Sequence, residues 1–101
     1  MKAFELKTEY LVNPLGLATR SPRLYWKCED GVKQTAYELE YTANDKPFPS
    51  VTVKTSSTTH ISFPQTLASR DRVLWRVRLR DENGVWGEYS DTASFEMSLL
   101  D

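Results

Sequence analysis

The 101-residue chain reads as an all-β domain, an antiparallel two-sheet sandwich of about seven strands. Three observations carry that expectation. Apolar and polar residues alternate over short stretches, turn-forming residues recur every ~8–14 positions, and no segment carries the stripe of an amphipathic helix. The intervals between strands are too short for helical crossovers, which argues against a parallel sheet. A small barrel is the alternative fold that the same pattern allows.

Phe4, Leu6 and Thr8 share one parity in a first strand. Asn13-Pro14 and Gly16 then break the ladder, since proline removes a donor and glycine accepts positive φ. Leu24, Trp26 and Cys28 alternate with Arg23, Tyr25 and Lys27 in a second strand that Asp30-Gly31 ends. Tyr37, Leu39 and Tyr41 alternate with Glu38 and Glu40 in a third, and Asn44 to Pro47 is the next break. Short strands are expected around Val51 and Val53, and around Ile61 and Phe63, separated by a polar loop over residues 55–59. The clearest alternation sets Val73, Trp75, Val77 and Leu79 against Arg76, Arg78 and Arg80. A turn at residues 81–84 follows, and Phe95, Met97 and Leu99 share parity in the last strand.

Length and composition describe one globular domain over residues 1–101. Folding a chain of this size buries about 65% of its extended surface, enough for a core without metal or disulfide staples. A formal net charge of −1 supplies no electrostatic footprint for nucleic acid. No apolar run approaches the roughly 18 residues of a membrane helix, so no membrane insertion is expected. The first ten residues lack the apolar core of a secretion signal. With a single cysteine, Cys28, and a single histidine, His60, no zinc site can be assembled and no cofactor is implied. The parity of Cys28 with Leu24 and Trp26 makes it a small core residue rather than a nucleophile.

Four segments in fixed order narrow the reading. They are EYLVNPLGL at residues 9–17, PRLYWKCE at 22–29, KQTAYELEY at 33–41 and GEYSDTASFEMSLL at 87–100. With Trp75-Arg76-Val77-Arg78 before the acidic glycine turn, this order resembles the fibronectin type III-like, immunoglobulin-like module near the N-terminus of bacterial α-L-rhamnosidases. The resemblance covers almost the whole chain. It implies a non-catalytic accessory domain cut from a larger glycoside hydrolase, partnered by downstream domains of the same polypeptide. It also suggests a periplasmic or extracellular setting, and the fragment is expected to be monomeric. Fibronectin-type folds place a corner tyrosine where this chain has Val73, so a looser or differently tied corner is expected between Pro64 and Arg72.

No catalytic residue is assigned. Glycoside hydrolysis needs two carboxyls across a sugar, one with a raised pKa, whereas Asp81 and Glu82 lie in a turn and Glu38 and Glu40 alternate outward. In the stripe of Arg76, Arg78 and Arg80, the first two are expected to pair with Glu38 and Glu40 across neighbouring strands, which favours a solvated face over a phosphate site. Tyr10, Tyr25, Trp86 and Tyr89 fall off the core parity or in loops. They are candidate contacts either with a neighbouring domain or with a carbohydrate, since aromatic rings serve both. A free-standing adhesion or interaction domain is a further alternative, because many unrelated proteins use this fold. Leu99 and Leu100 add apolar surface at the end of the last strand, where a polar, frayed terminus is usual. They are expected to bury an interdomain contact in the longer protein.

Overall fold

The computed structural model describes residues 1–19 and 21–99. The described residues form nine strands and no helix: β1 (Lys2–Thr8), β2 (Leu15–Leu17), β3 (Arg23–Glu29), β4 (Ala36–Ala43), β5 (Lys46–Pro47), β6 (Val51–Val53), β7 (Ile61–Ser62), β8 (Arg72–Arg80) and β9 (Ala93–Met97). One sheet runs in the order β1-β3-β7. The other runs β2-β9-β8-β4-β5, with β6 also paired to β4. The two-sheet sandwich is therefore as the sequence indicates, enlarged by two strands too short to leave an alternating signature.

One of these additions is parallel. Leu15 and Leu17 of β2 lie beside Glu96 and Met97 of β9. The short spacings argued against helical crossovers, but most of the chain separates these two strands, so no crossover helix is needed.

The core lies between the sheets. β8 delivers Val73, Trp75, Val77 and Leu79 to it, and β4, its antiparallel neighbour, delivers Tyr37, Leu39 and Tyr41. From the smaller sheet come Leu24 and Trp26, and from β9 come Phe95 and Met97. The aromatic rings link across the gap. Trp26 meets Tyr37 edge-on at 5.2 Å and Trp75 at 6.5 Å, while Phe63 meets Tyr41 at 4.8 Å and Phe95 at 5.4 Å. Such pairs add about 0.5–1.5 kcal/mol each beyond their buried area.

The buried indole N–H of Trp26 donates to Oε1 of Gln34 at 2.9 Å. Gln34, itself buried, donates from Nε2 to the carbonyls of Thr55 and Ser57. The backbone N–H of Trp26 donates to Thr58 O at 3.0 Å. Residues 55–58 thus form the loop read from the Ser/Thr run, and they close the free side of β3 without being a strand.

Two expectations change. Phe4 is not a core residue: Glu5 adopts φ +49 and inserts an extra residue, so that Phe4 faces Lys27 while Lys7 faces Tyr25. The bulge shifts the parity, and Ala3 enters the core in place of Phe4, with Leu6 packed against the core and Thr8 buried. A bulge on an edge strand also discourages pairing with a second chain. The corner between Pro64 and Arg72 is tied by other groups. Asp71 accepts from Ala68 N and Asn44 Nδ2, its carbonyl accepts from Met97 N, and the Tyr41 hydroxyl donates to Gln65.

Truncating Trp26 to Ala is expected to cost about 3–5 kcal/mol. Replacing Gln34 by Leu is expected to cost about 2–3 kcal/mol, because it leaves a buried N–H and two carbonyls without partners. Chemical denaturation of both variants checks this, and an unchanged midpoint for Gln34→Leu would remove the polar tie from the account.

Candidate functional site

The candidate contact residues separate onto the two outer faces, and the sequence did not show this division. On the face of the six-stranded sheet, alternation along β8 turns Arg76, Arg78 and Arg80 outward. The register sets Arg78 opposite Glu38 and Arg76 opposite Glu40. The expected cross-strand pairs form: Arg78 Nε lies 2.6 Å from Glu38 Oε1, and Arg76 NH2 lies 2.7 Å from Glu40 Oε1.

Trp86 and Tyr89 lie half-buried over this ladder. The guanidinium carbon of Arg76 stands 4.1 Å from the Tyr89 ring centre, and that of Arg78 stands 4.9 Å from the Trp86 ring centre. The hairpin turn at residues 81–84 positions them: Asp81 accepts backbone N–H groups from Asn83 and Val85, and Gly84 supplies φ +78. Gly87 then passes so close to Met1 that a Cβ would strike the Met1 carbonyl. The Tyr89 hydroxyl donates to Glu38 at 2.8 Å. With Arg78 and Thr52 also donating to Glu38, this bond holds the Glu38 carboxyl below its ordinary pKa. Two of the four aromatic candidates therefore cap an ion-pair ladder, and a shallow groove of about 270 Å³ lies beside them, lined by Glu40, Leu74 and Arg76.

The other two candidates meet on the face of the three-stranded sheet. Tyr10 stacks on Tyr25 with ring centres 4.3 Å apart, and His60 packs edge-on against both. Tyr25 points outward as its parity requires, yet Tyr10 covers it so well that only 6% of it is exposed. It cannot be a first contact for any partner. Its hydroxyl has no hydrogen-bond partner among the described residues, and burial pushes its pKa up to about 12. Tyr10 is the accessible ring, with its hydroxyl 3.0 Å from His60 Nε2. Glu9, Tyr10 and His60 all adopt positive φ, which turns them onto this face. Beside them Arg23 donates to Glu9 from both its backbone N and Nε.

A third surface was not anticipated in full. Between β1 and β2 the chain crosses from one sheet to the other, pinned by Leu11 to Thr8 and by Asn13 Oδ1 to Ser94 N. Along this strap Tyr10, Leu11, Val12 and Leu15 are 60%, 53%, 66% and 79% exposed. Leu99 is 71% exposed near the same edge, where Ser98 N donates to Leu17 O. Leu100, the other apolar residue expected there, lies outside the described residues. The signal for the strap was present as an apolar cluster around Asn13-Pro14 with no alternation to bury it.

Among the described residues, every carboxyl whose pKa is displaced (Glu5, Glu9, Glu38, Asp81 and Glu82) is displaced downward, chiefly by hydrogen bonds from arginine, lysine, tyrosine or backbone N–H groups.

The profile of the Rha78A-like N-terminal immunoglobulin domains matches residues 3–101. The chain belongs to this family. An α-L-rhamnosidase of Alteromonas sp. (strain LOR) is 33% identical over 92% of the chain, and the chain spans only 11% of that relative's length. The Rha78A-like domain is also similar to part of the α-L-rhamnosidase of Streptomyces avermitilis, solved in complex with L-rhamnose (25% identity, TM-score 0.86), covering 98% of this chain and 11% of that one. The α-L-rhamnosidase structure from Dictyoglumus thermophilum gives 26% identity and a TM-score of 0.87, over 99% of this chain and 13% of that one. The native Aspergillus terreus enzyme, at 24% identity over 99% of this chain and 12% of that one, shares the fold with a TM-score of 0.88. The family is the one that the four ordered segments resembled.

Because the folded pKa of Glu38 is depressed, its contribution is present above the unfolded carboxylate range and is lost as pH falls through the folded value. Glu38→Gln is expected to destabilise the domain by about 1 kcal/mol at neutral pH. The difference from the parent should shrink as pH drops below about 4.5, the ordinary glutamate value. Denaturation midpoints across that range check it, and a pH-independent difference would mean that the carboxylate charge contributes nothing.

Proposed function

We propose that this domain is a non-catalytic accessory module of an α-L-rhamnosidase, which spaces, docks against and stabilises neighbouring domains of the same polypeptide. One observation carries the reading. A domain with a closed core of its own corresponds to 11% of a relative that carries the enzyme's name, leaving most of that relative outside the aligned region. The direction of the carboxyl pKa displacements supports it, since a glycosidase acid must be held protonated, whereas these carboxyls are held ionised. The arginine stripe supports it too: Arg76 and Arg78 are occupied by Glu40 and Glu38 and by aromatic rings, leaving no open anion cradle.

A second reading rests on Tyr10. An exposed aromatic ring, backed by Tyr25 and flanked by His60 and the Glu9–Arg23 pair, has the makings of a platform for one sugar ring. In this reading the module would recruit a rhamnose-bearing glycan. The two readings separate by titration calorimetry of the domain with rhamnose-containing oligosaccharides. The accessory reading expects no saturable heat, whereas binding that disappears in Tyr10→Ala would favour the second.

Both readings expect no hydrolysis of an aryl α-L-rhamnoside by the purified 101-residue domain. Turnover that follows the pure protein through gel filtration would overturn them together.

A further inference from the structure

The strap between β1 and β2 is the largest run of exposed apolar side chains on the domain, and its position is informative. Leu11, Val12 and Leu15 project from a backbone fixed at both ends: Leu11 is bonded to Thr8, and Pro14 O accepts from Glu96 N. The segment is therefore a preformed surface, not a loop waiting to fold. Val12 also forms one wall of a groove of about 580 Å³, whose other walls are the free edge of β1 and residues 91–93. Half-buried Phe4 and Leu6 line that groove, so the apolar character continues inward from the strap.

The rest of the surface competes poorly. The middle of the outer face of the six-stranded sheet is internally satisfied, since Arg76 and Arg78 are paired with Glu40 and Glu38 and lie under Tyr89 and Trp86. Among the described residues, the other exposed large apolar side chains are Val32 and Val85, each on a polar turn, and Leu74 on β8.

We propose that residues 11–15, with Leu99 further along the same sheet edge, form the docking surface for the polypeptide that follows this domain in a longer chain. The inference rests on the accessory-module reading and names its contact face. Two observations select this occupant. β9 starts beside the strap, with Ser94 N bonded to Asn13 Oδ1 and Glu96 N to Pro14 O, and continues parallel to β2 along the same sheet edge, with Met97 paired to Leu17. In addition, the relative from Alteromonas is roughly nine times as long as the part that this domain accounts for. A domain that follows β9 is tethered on the sheet edge that carries the strap. Burying contiguous apolar side chains at such a short tether needs little intrinsic affinity, because the effective concentration is high.

The test uses the full-length parent enzyme. Val12→Cys, Leu15→Cys and Val32→Cys are introduced singly, and alkylation rates are read by peptide mass in native and denaturing buffer. Half-buried Cys28 reports in each variant that the domain is folded. The docking surface predicts that Val12→Cys and Leu15→Cys react at least tenfold more slowly in native than in denaturing buffer, while Val32→Cys differs by less than threefold. Fast labelling at 12 and 15 with slow labelling at 32 overturns this surface but leaves docking on another face. Fast labelling at all three, with Cys28 protected, overturns both the surface and the accessory-docking reading. Protection at 12 and 15 that arises only when methyl α-L-rhamnoside is added belongs to a glycan site and also overturns the proposal. If a substitution exposes Cys28, hydroxyl-radical footprinting of the unsubstituted parent decides in its place. Oxidation of Leu11 and Leu15 at the rate of exposed leucines contradicts docking, and suppressed oxidation supports it.

Discussion

The fold depends on how the Trp26 indole is accommodated. Its ring fills the gap between the sheets against Tyr37 and Trp75, which is an apolar task, while its N–H must find an acceptor away from water. Gln34 supplies that acceptor and uses its own amide hydrogens on Thr55 and Ser57. One buried amide therefore joins the central strand of the small sheet, the turn that leads into β4, and the loop that precedes β7. Without it, a sheet of three strands has little to hold residues 55–58 over the free side of β3. Trp75 has no such arrangement: its Nε1 lacks a hydrogen-bond partner among the described residues, so packing alone justifies its burial.

With the core closed in this way, the outer faces are free to differ. The larger sheet neutralises itself: each outward arginine of the Glu38–Glu40 region has a carboxylate opposite and an aromatic ring above. Such exposed pairs contribute little individually, on the order of 0–1 kcal/mol, but they occupy the guanidinium groups of Arg76 and Arg78. The smaller sheet ends in a cluster of rings around Tyr10, and the strap beyond it presents leucine and valine to solvent. The surface is least self-sufficient at the strap.

The legible part of the sequence was its alternation. Val73, Trp75, Val77 and Leu79 of β8 and Tyr37, Leu39 and Tyr41 of β4 could be read from period two, as could the opposition of Glu38 to Arg78, because both strands are central and continuously paired. The family was legible from four ordered segments, although Gln34 gave no hint that it would hold Trp26. The bulge in β1 was hidden because it uses Glu5, not glycine, at positive φ, and no residue type marks that choice. Tyr25 was placed on the outer face correctly, but its burial depends on Tyr10, which arrives from a different segment. Parity assigns a face and says nothing of what later covers it. For the same reason Trp86 and Tyr89 were flagged as free contacts when they are half-buried over arginines. The strap lacked alternation altogether, so sequence patterning registered it only as a break.

The central claim is that this domain is complete in its core and incomplete on one surface. Hydrogen exchange compared between the isolated domain and the same residues in a longer chain that contains it tests it most directly. The account predicts equal protection in β3, β4 and β8 in both proteins, and added protection in the longer chain confined to residues 9–17 and the end of β9. Loss of protection throughout β4 and β8 in the isolated domain, or identical exchange at every residue in both proteins, would contradict it.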